Sequence, residues 1–263
     1  MGAAAAVELL HNMTLIHDDI EDRSELRRGK PCIHRIYGIP MAINAGDAML
    51  IKVFEIANSS NLPQDRRHQL VQHVAERAYE ITWGQAFEFN MWKRKKFTED
   101  EVIRLLKCKT GALTRLSTEA GAIAGGASQE QVNALAEFGE TVGIAFQIID
   151  DVLNVKGDVK DYGKEIGGDI REGKKTVIAA HLLHAASPQD LKAFRRLLGK
   201  KKITRAETKR AIGLYEKYGS IKYAKTRADS YLAKAMEALN TLPASEARTE
   251  LGTIAEFLVS RSF

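Results

Sequence analysis

SQEQVNALAEFGETVGIAFQIIDDVLN, residues 128–154, decides the fold. Ser128 and Gln131 stand at the spacing of a capping box, in which two polar side chains satisfy backbone N–H groups at a helix start. Val132, Leu135 and Phe138 follow at helical spacing. The stretch ends in a strongly apolar segment, 146–154, that carries the adjacent pair Asp150 and Asp151. Apolar residues at a period near 3.6 predict an amphipathic helix.

The same grammar extends in both directions. Thr98 with Glu101 and Thr204 with Glu207 are two more capping boxes, and Ser187-Pro188 reads as an N-cap followed by proline in the first helical turn. Pro40 suits the start of a helix over 41–57, and a long polar–apolar pattern over 65–92 holds one glycine and no proline. Residues 3–22 are apolar at helical spacing. The charged stretch 22–31 reads as a loop, and the glycine-rich segment 157–173 as a longer one. Two last helices are expected on either side of Pro243. Nothing alternates with the period of a strand. One all-α domain spanning 1–263 is the expected architecture.

Composition narrows the function. The 263 residues are 44% hydrophobic and 28% charged, which excludes a disordered chain. Only five prolines occur, too few for the frequent turns of a β-sandwich. Two cysteines, Cys32 and Cys108, cannot build a disulfide framework or a four-thiolate zinc site and fit a reducing, cytoplasmic setting. No apolar run reaches the roughly 18 residues of a membrane span, and the N-terminus lacks the basic start of a signal peptide. Net charge is +5. The basic runs 93–96 and 200–202 read as solvated charge, without the aromatic interleaving or zinc spacing of a nucleic-acid module. No nucleic-acid partner is expected.

Two aspartate clusters carry the chemistry. Asp18, Asp19 and Asp22 close one apolar helix, and Asp150 and Asp151, followed by Asn154, close another. At about 100° per residue, positions 18 and 22 lie about 40° apart on one helix face, as do 150 and 154. Carboxylates this close repel unless a cation sits among them. Oxygen ligands of this kind suit Mg²⁺, which takes a few carboxylates together with waters and substrate phosphates. Arg27-Arg28-Gly29 follows the first cluster, Lys109-Thr110 sits inside a helix, and Lys164 and Gly173-Lys174 follow the second cluster, as groups that would meet the remaining charge of a diphosphate. Residues 168–174 match the first seven places of a P-loop, but the eighth is Lys175 and no strand precedes them, so nucleotide binding is rejected.

Together these residues resemble the trans-isoprenyl diphosphate synthase (polyprenyl synthetase) family. The motifs run in one order: Asp18-Asp19-x-x-Asp22, Arg27-Arg28-Gly29, Gly84-Gln85-x-x-Glu88, Lys109-Thr110-Gly111, Phe146-Gln147-x-x-Asp150-Asp151, Lys164, and Gly173-Lys174-Lys175-Thr176. They cover roughly residues 8–180. The resemblance implies the all-α isoprenoid synthase fold, a helix bundle around a central cavity, and a homodimer. It implies Mg²⁺-dependent head-to-tail condensation of isopentenyl diphosphate with an allylic diphosphate. By position, Asp18, Asp22 and Asp150 would ligate metal directly. Asp19 and Asp151 would support the metals, and Glu88 would stand near them. Arg27, Lys109, Lys164 and Lys174 would hold the allylic diphosphate, and His11 and Arg28 would face isopentenyl diphosphate. Thr110 and Gln147 would steady the allylic cation, and Lys109 and Lys164 count with them as catalytic candidates.

Product length should be set deeper along the first helix. At about 1.5 Å per residue, Thr14 lies about 6 Å and Met13 about 7–8 Å below Asp18. In the family a bulky aromatic at the Met13 position stops growth early, so geranylgeranyl diphosphate or a longer product is expected, unless another helix makes the floor. Two departures stand out. Asn154 replaces an aspartate common in relatives. Only seventeen residues precede Asp18, whereas the family places several helices there, including a Gly-Lys-x-Arg element for isopentenyl diphosphate. The shortness before Asp18 motivates one alternative, a non-catalytic or partner-dependent subunit, and a class I terpene cyclase is a second. The Asp150-Asp151-x-x-Asn154 motif and the arginine pair fit the cyclase less well.

Overall fold

The structure, a computed structural model, describes residues 1–92, 94, 96–156 and 166–260. It is built from helices. The only strands among the described residues are two of two residues each, β1 (Leu26–Arg27) and β2 (Lys30–Pro31). The chain divides into two compact units, residues 1–79 with 115–136, and residues 80–114 with 137–263.

The first unit opens with α1 (Gly2–Glu21), whose buried Ala3, Ala6, Leu10 and Met13 form one stripe. This stripe follows the three-to-four-residue spacing of a core-facing helix. α1 packs on α3 (Ile39–Asn58), which buries Ala42, Gly46, Val53 and Ala57. Small residues let the two backbones approach. At Gly46 an added Cβ would overlap the His17 imidazole, whose Nε2 lies 3.3 Å from the Ile43 carbonyl oxygen and 3.7 Å from Asp47. His17 immediately precedes the first aspartate pair, so this close fit fixes the end of α1.

The stretch expected to be a plain loop after α1 is more ordered. β1 and β2 pair antiparallel, Leu26 opposite Pro31 and Arg27 opposite Lys30. The two turn residues, Arg28 and Gly29, have φ of 52° and 74°. Two positive φ values match the right-handed twist of the flanking strands, and glycine serves the second without strain. A one-turn helix, α2 (Ile33–Tyr37), follows, and Gly38 at φ 84° separates it from α3. Pro40 occupies the first turn of α3, as its sequence position suggests. The rest of the unit comes from α4 (Gln64–Trp92), α6 (Ala112–Gly125) and α7 (Gln129–Lys156). There the buried Glu119 accepts a hydrogen bond from Arg115 Nε at 2.8 Å and lies 3.1 Å from His73 Nδ1. The Ser128–Gln131 capping box forms reciprocally, with Ser128 N–H donating to Gln131 and Gln131 N–H to Ser128.

The second unit holds a continuous apolar core. Met91, Val102, Leu105 and Leu106 join Ile144, Ile148 and Val152, then Ile170, Ile178, Leu182 and Phe194. α5 (Glu99–Leu106) starts at the Thr98–Glu101 capping box, and a further helix, α11 (Arg205–Lys217), starts at Thr204–Glu207. Between α5 and α6 the chain takes one wider, π-helical turn at Lys107–Gly111. Part of the stretch expected as a glycine-rich loop is helical, as the short α8 (Gly168–Glu172). α9 (Val177–Ala185) is capped by Thr176, whose Oγ1 accepts from Ala179 N–H. α10 (Pro188–Leu197), α12 (Ser220–Asn240) and α13 (Glu246–Val259) complete the unit. Among the described residues, no helix is long and apolar enough to cross a membrane.

Filling the Gly46 position must push the half-buried His17 ring off Ile43 and Asp47. Alanine also gains about 1 kcal/mol of helix propensity over glycine, so Gly46→Ala is expected to change stability by less than about 1 kcal/mol. Urea unfolding measures it, and a loss of about 3 kcal/mol, at the top of the overpacking range, would show that the ring cannot move aside.

Candidate active site

In the first unit, adjacent aspartates take different environments. Positions 18 and 19 are about 100° apart around a helix, so Asp19 turns inward and is buried while Asp18 stays half-buried and Asp22 exposed. Asp19 Oδ1 accepts from Arg27 Nε at 2.9 Å and Arg27 Nη2 at 2.6 Å, and Asp18 Oδ2 lies 3.6 Å from the same Nη2. The β1–β2 hairpin therefore delivers Arg27 onto both carboxylates. Burial pushes the Cys32 thiol up, and its hydrogen bond to Asp19 adds to that. His11 is half-buried on α1. Burial lowers its pKa, Glu8 opposes that, and the nearby charges of Arg28 and Arg27 lower it further. His11, Arg27 and Arg28 thus share one field. Met13 is buried, and Thr14 Oγ1 donates to the His11 carbonyl at 2.7 Å.

In the second unit, two glycines bring the pieces together. A Cβ on Gly84 of α4 would stand 2.8 Å from Cys108 Cβ in the π-helical turn. A Cβ on Gly143 of α7 would stand 2.9 Å from Gly111 Cα. Real Cβ atoms do not approach so closely, so both helices lie against the turn only because these positions are glycine. The first contact sets Glu88 beside Lys109, with Lys109 Nζ donating to Glu88 Oε2 at 2.6 Å. The second sets Gln147 beside Thr110, with Thr110 Oγ1 donating to Gln147 Oε1 at 3.1 Å.

From Gln147 the polar chain continues. Gln147 Nε2 donates to Asp151 Oδ1 at 3.2 Å, and Lys174 Nζ donates to the same oxygen at 2.8 Å. Asp169 Oδ2 lies 3.8 Å from Lys174 Nζ. Asp151 is 1% exposed, and its other oxygen, Oδ2, has no hydrogen-bond partner among the described residues. Burial pushes its carboxyl pKa up against the pull of Lys174. Burial also raises Asp169, to about 7, again opposed by Lys174 and reinforced by Asp151. Burial works against the Lys174 charge, but Asp151 and Asp169 outweigh it and raise its pKa.

The motif reading needs correction at Asn154. It does not present an oxygen alongside Asp150. It is buried, and its Oδ1 accepts from Asp169 N–H at 3.1 Å while its carbonyl accepts from Gly167 N–H at 2.7 Å. A neutral amide holds the start of α8 without adding a further charge beside Asp151 and Asp169. Asp169 itself is the site residue that motif reading passed over, because its sequence stood only as part of a rejected P-loop. Its one signal is an acid directly after Gly167-Gly168, five residues ahead of Lys174. Lys164 lies outside the described residues.

Comparison with known proteins gives the family. Residues 1–215 match the polyprenyl synthetase family. The chain belongs to the polyprenyl synthetases. It is 40% identical over 262 residues to the short chain isoprenyl diphosphate synthase of Methanothermobacter thermautotrophicus, covering 99% of this chain and 79% of that one. The crystal structure of geranylgeranyl pyrophosphate synthetase from Pyrococcus horikoshii superposes with a TM-score of 0.95 at 42% identity, over 100% of this chain and 80% of that one. A polyprenyl synthase from Caulobacter crescentus, complexed with calcium and isoprenyl diphosphate, superposes with a TM-score of 0.87 at 31% identity, over 99% and 78%. The fold is thus the all-α fold of the polyprenyl synthetases, as the motifs implied, and the family uses a divalent metal.

The raised carboxyl of Asp169 gives this polyprenyl synthetase a pH signature. An unfolded aspartate ionises near 3.9, whereas folded Asp169 keeps its proton up to about 7. The folded form therefore binds more protons between these values, and its stability falls as pH rises through that window. In metal-free protein, Asp169→Asn should flatten this fall. Urea unfolding at pH 4.5 and 7 checks it, and an equal slope in both proteins would remove Asp169 as the cause.

Proposed function

We propose that this chain is a prenyltransferase that condenses isopentenyl diphosphate with an allylic diphosphate, head to tail, to make geranylgeranyl diphosphate or a longer polyprenyl diphosphate. The observation that carries it is the polar chain from Thr110 through Gln147 and Asp151 to Lys174, in which one Asp151 oxygen has no hydrogen-bond partner among the described residues, in a polyprenyl synthetase. The name of the Pyrococcus relative supports the product class. So does Met13, which puts no aromatic ring beneath the first motif.

Mg²⁺ fits the donor set. Asp151 Oδ2 is a buried oxygen that lacks a partner among the described residues. Among the described residues no three His, Cys, Asp or Glu side chains converge on a preformed metal site, which suits an ion that completes its shell with waters and substrate phosphates. Following the family resemblance, Asp18 and Asp22 of the first unit and Asp150 of the second would each ligate metal directly, with Asp19, Asp151 and Glu88 in support. Bound there, Mg²⁺ supplies Lewis-acid neutralisation of diphosphate charge.

The remaining roles fall to the chain's own groups. Arg27, Lys109, Lys164 and Lys174 bind the allylic diphosphate, and His11 with Arg28 binds isopentenyl diphosphate. The allylic carbon–oxygen bond ionises, and the Thr110 hydroxyl and Gln147 carbonyl oxygens set their negative dipole ends toward the cation. The double bond of isopentenyl diphosphate attacks, and the departing diphosphate takes the final proton. Residues 1–263 would act as one isoprenoid synthase domain, which the match to one solved chain at full coverage supports. Homodimerisation would cover the exposed apolar side chains Ile36, Tyr37, Ile39, Met41, Ile43 and Ile51 of the first unit. The free, buried thiols of Cys32 and Cys108 suit a cytoplasmic setting.

Incubation with Mg²⁺, isopentenyl diphosphate and farnesyl diphosphate tests the reading. Diphosphate release should need both substrates, and Asp18→Asn or Asp150→Asn should slow it by on the order of 10²-fold, as for loss of one transition-state electrostatic contact. Release from the allylic substrate alone would point to a cyclase, and binding without turnover to a subunit. Met13→Phe should shorten the chromatographed product, and an unchanged length would move the chain-length floor elsewhere. Sedimentation velocity should find a dimer.

A further inference from the structure

The second unit holds a cavity of about 460 Å³ that no part of the proposed chemistry uses. Phe97, Ala180 and Leu183 give it an apolar lining, and Lys96, His184 and Arg195 add basic groups. Lys96, His184 and Arg195 are exposed, and none of them has an acidic partner among the described residues. The one acid on the wall, Glu99, is already engaged. Its Oε1 accepts from Arg227 Nε at 2.7 Å and its Oε2 from the Tyr223 hydroxyl at 2.5 Å. His181 is stacked on Tyr223 with ring centroids 4.2 Å apart, and its Nδ1 lies 3.0 Å from Ser220 Oγ. That wall is therefore fixed by its own contacts. Arg195 also lines a neighbouring cavity of about 390 Å³ with Lys192 and Arg196, so uncompensated positive charge continues along α10.

Uncompensated cations beside an apolar hollow are the complement of an amphipathic anion. Arginine presents a fork matched to phosphate oxygens, and lysine a point charge. Two permanent positive charges balance one phosphate dianion, and the hollow is of ligand size. We propose that this cavity binds a phosphate group bearing an apolar chain, with Lys96 and Arg195 holding the phosphate and Phe97, Ala180 and Leu183 the chain. Binding needs no metal, because the charge is met by side chains. The proposal does not depend on the prenyl-transfer reading.

Calorimetric titration with geranyl monophosphate in EDTA is the test. One site is expected, weakened at least tenfold in the Lys96→Gln, Arg195→Gln double variant. It should be retained in Lys96→Arg, Arg195→Lys and changed less than twofold by Asp18→Asn with Asp150→Asn. Inorganic phosphate should bind more weakly and lose its affinity in the same double variant. Co-sedimentation with phosphatidylglycerol vesicles distinguishes a lipid headgroup from a free phosphate as the source, and sensitivity to the same variant supports the site in either arm. Absence of binding in both arms, or binding that the Gln variant leaves unchanged while circular dichroism shows it folded, overturns the proposal.

Discussion

A carboxylate that has lost its water must be compensated, and Asp151 is the place where this protein meets that demand. One oxygen is shared by Gln147 and Lys174, and the other has no hydrogen-bond partner among the described residues. Removing a charge from water costs several kcal/mol unless partners replace the hydration. The surroundings follow from that need. Lys174 must be delivered to the spot, which fixes the segment after α8. Gln147 must face the same oxygen, which fixes the rotation of α7. Asp169, brought beside Lys174 and the Asp151 carboxyl, is pushed toward its neutral form and keeps its proton until about pH 7.

The first aspartate pair solves a similar problem by other means. Asp19 is also turned inward, but its counter-charge comes from a hairpin instead of a glycine-rich segment. Arg27 reaches both Asp18 and Asp19 because the chain turns back directly after α1, where Arg23 takes a φ of 56° and Ser24 N–H donates to the Asp19 carbonyl. In each pair the second aspartate is buried and the first is half-buried. This is what adjacent positions on a helix must do when only one side faces a core.

Local signals were legible and distant ones were not. The capping boxes at Thr98, Ser128 and Thr204 could be read because both partners lie within four residues and their bonds need nothing else. The order of the charged motifs was legible for the same reason, and it carried the family. Gly84 and Gly143 could be quoted but not explained, since the atoms that forbid a Cβ there come from the turn at 107–111. Asn154 was read by its helix face alone, yet its amide is spent on Asp169, fifteen residues away. The β1–β2 hairpin escaped notice because Arg28, a residue with a side chain, takes one of the two left-handed turn positions.

The wider turn at Lys107–Gly111 also bears on how this sequence can change. A π-helical turn holds one more backbone position than an α-helical one. Deleting a single residue there would restore a regular helix without opening the chain, and helix propensity would hardly register the loss. Each residue is worth about 100° of rotation, so Lys109 and Thr110 could no longer meet Glu88 and Gln147 together. Length variation between α5 and α6 should therefore be far rarer among functional descendants of this chain than substitution at the same positions.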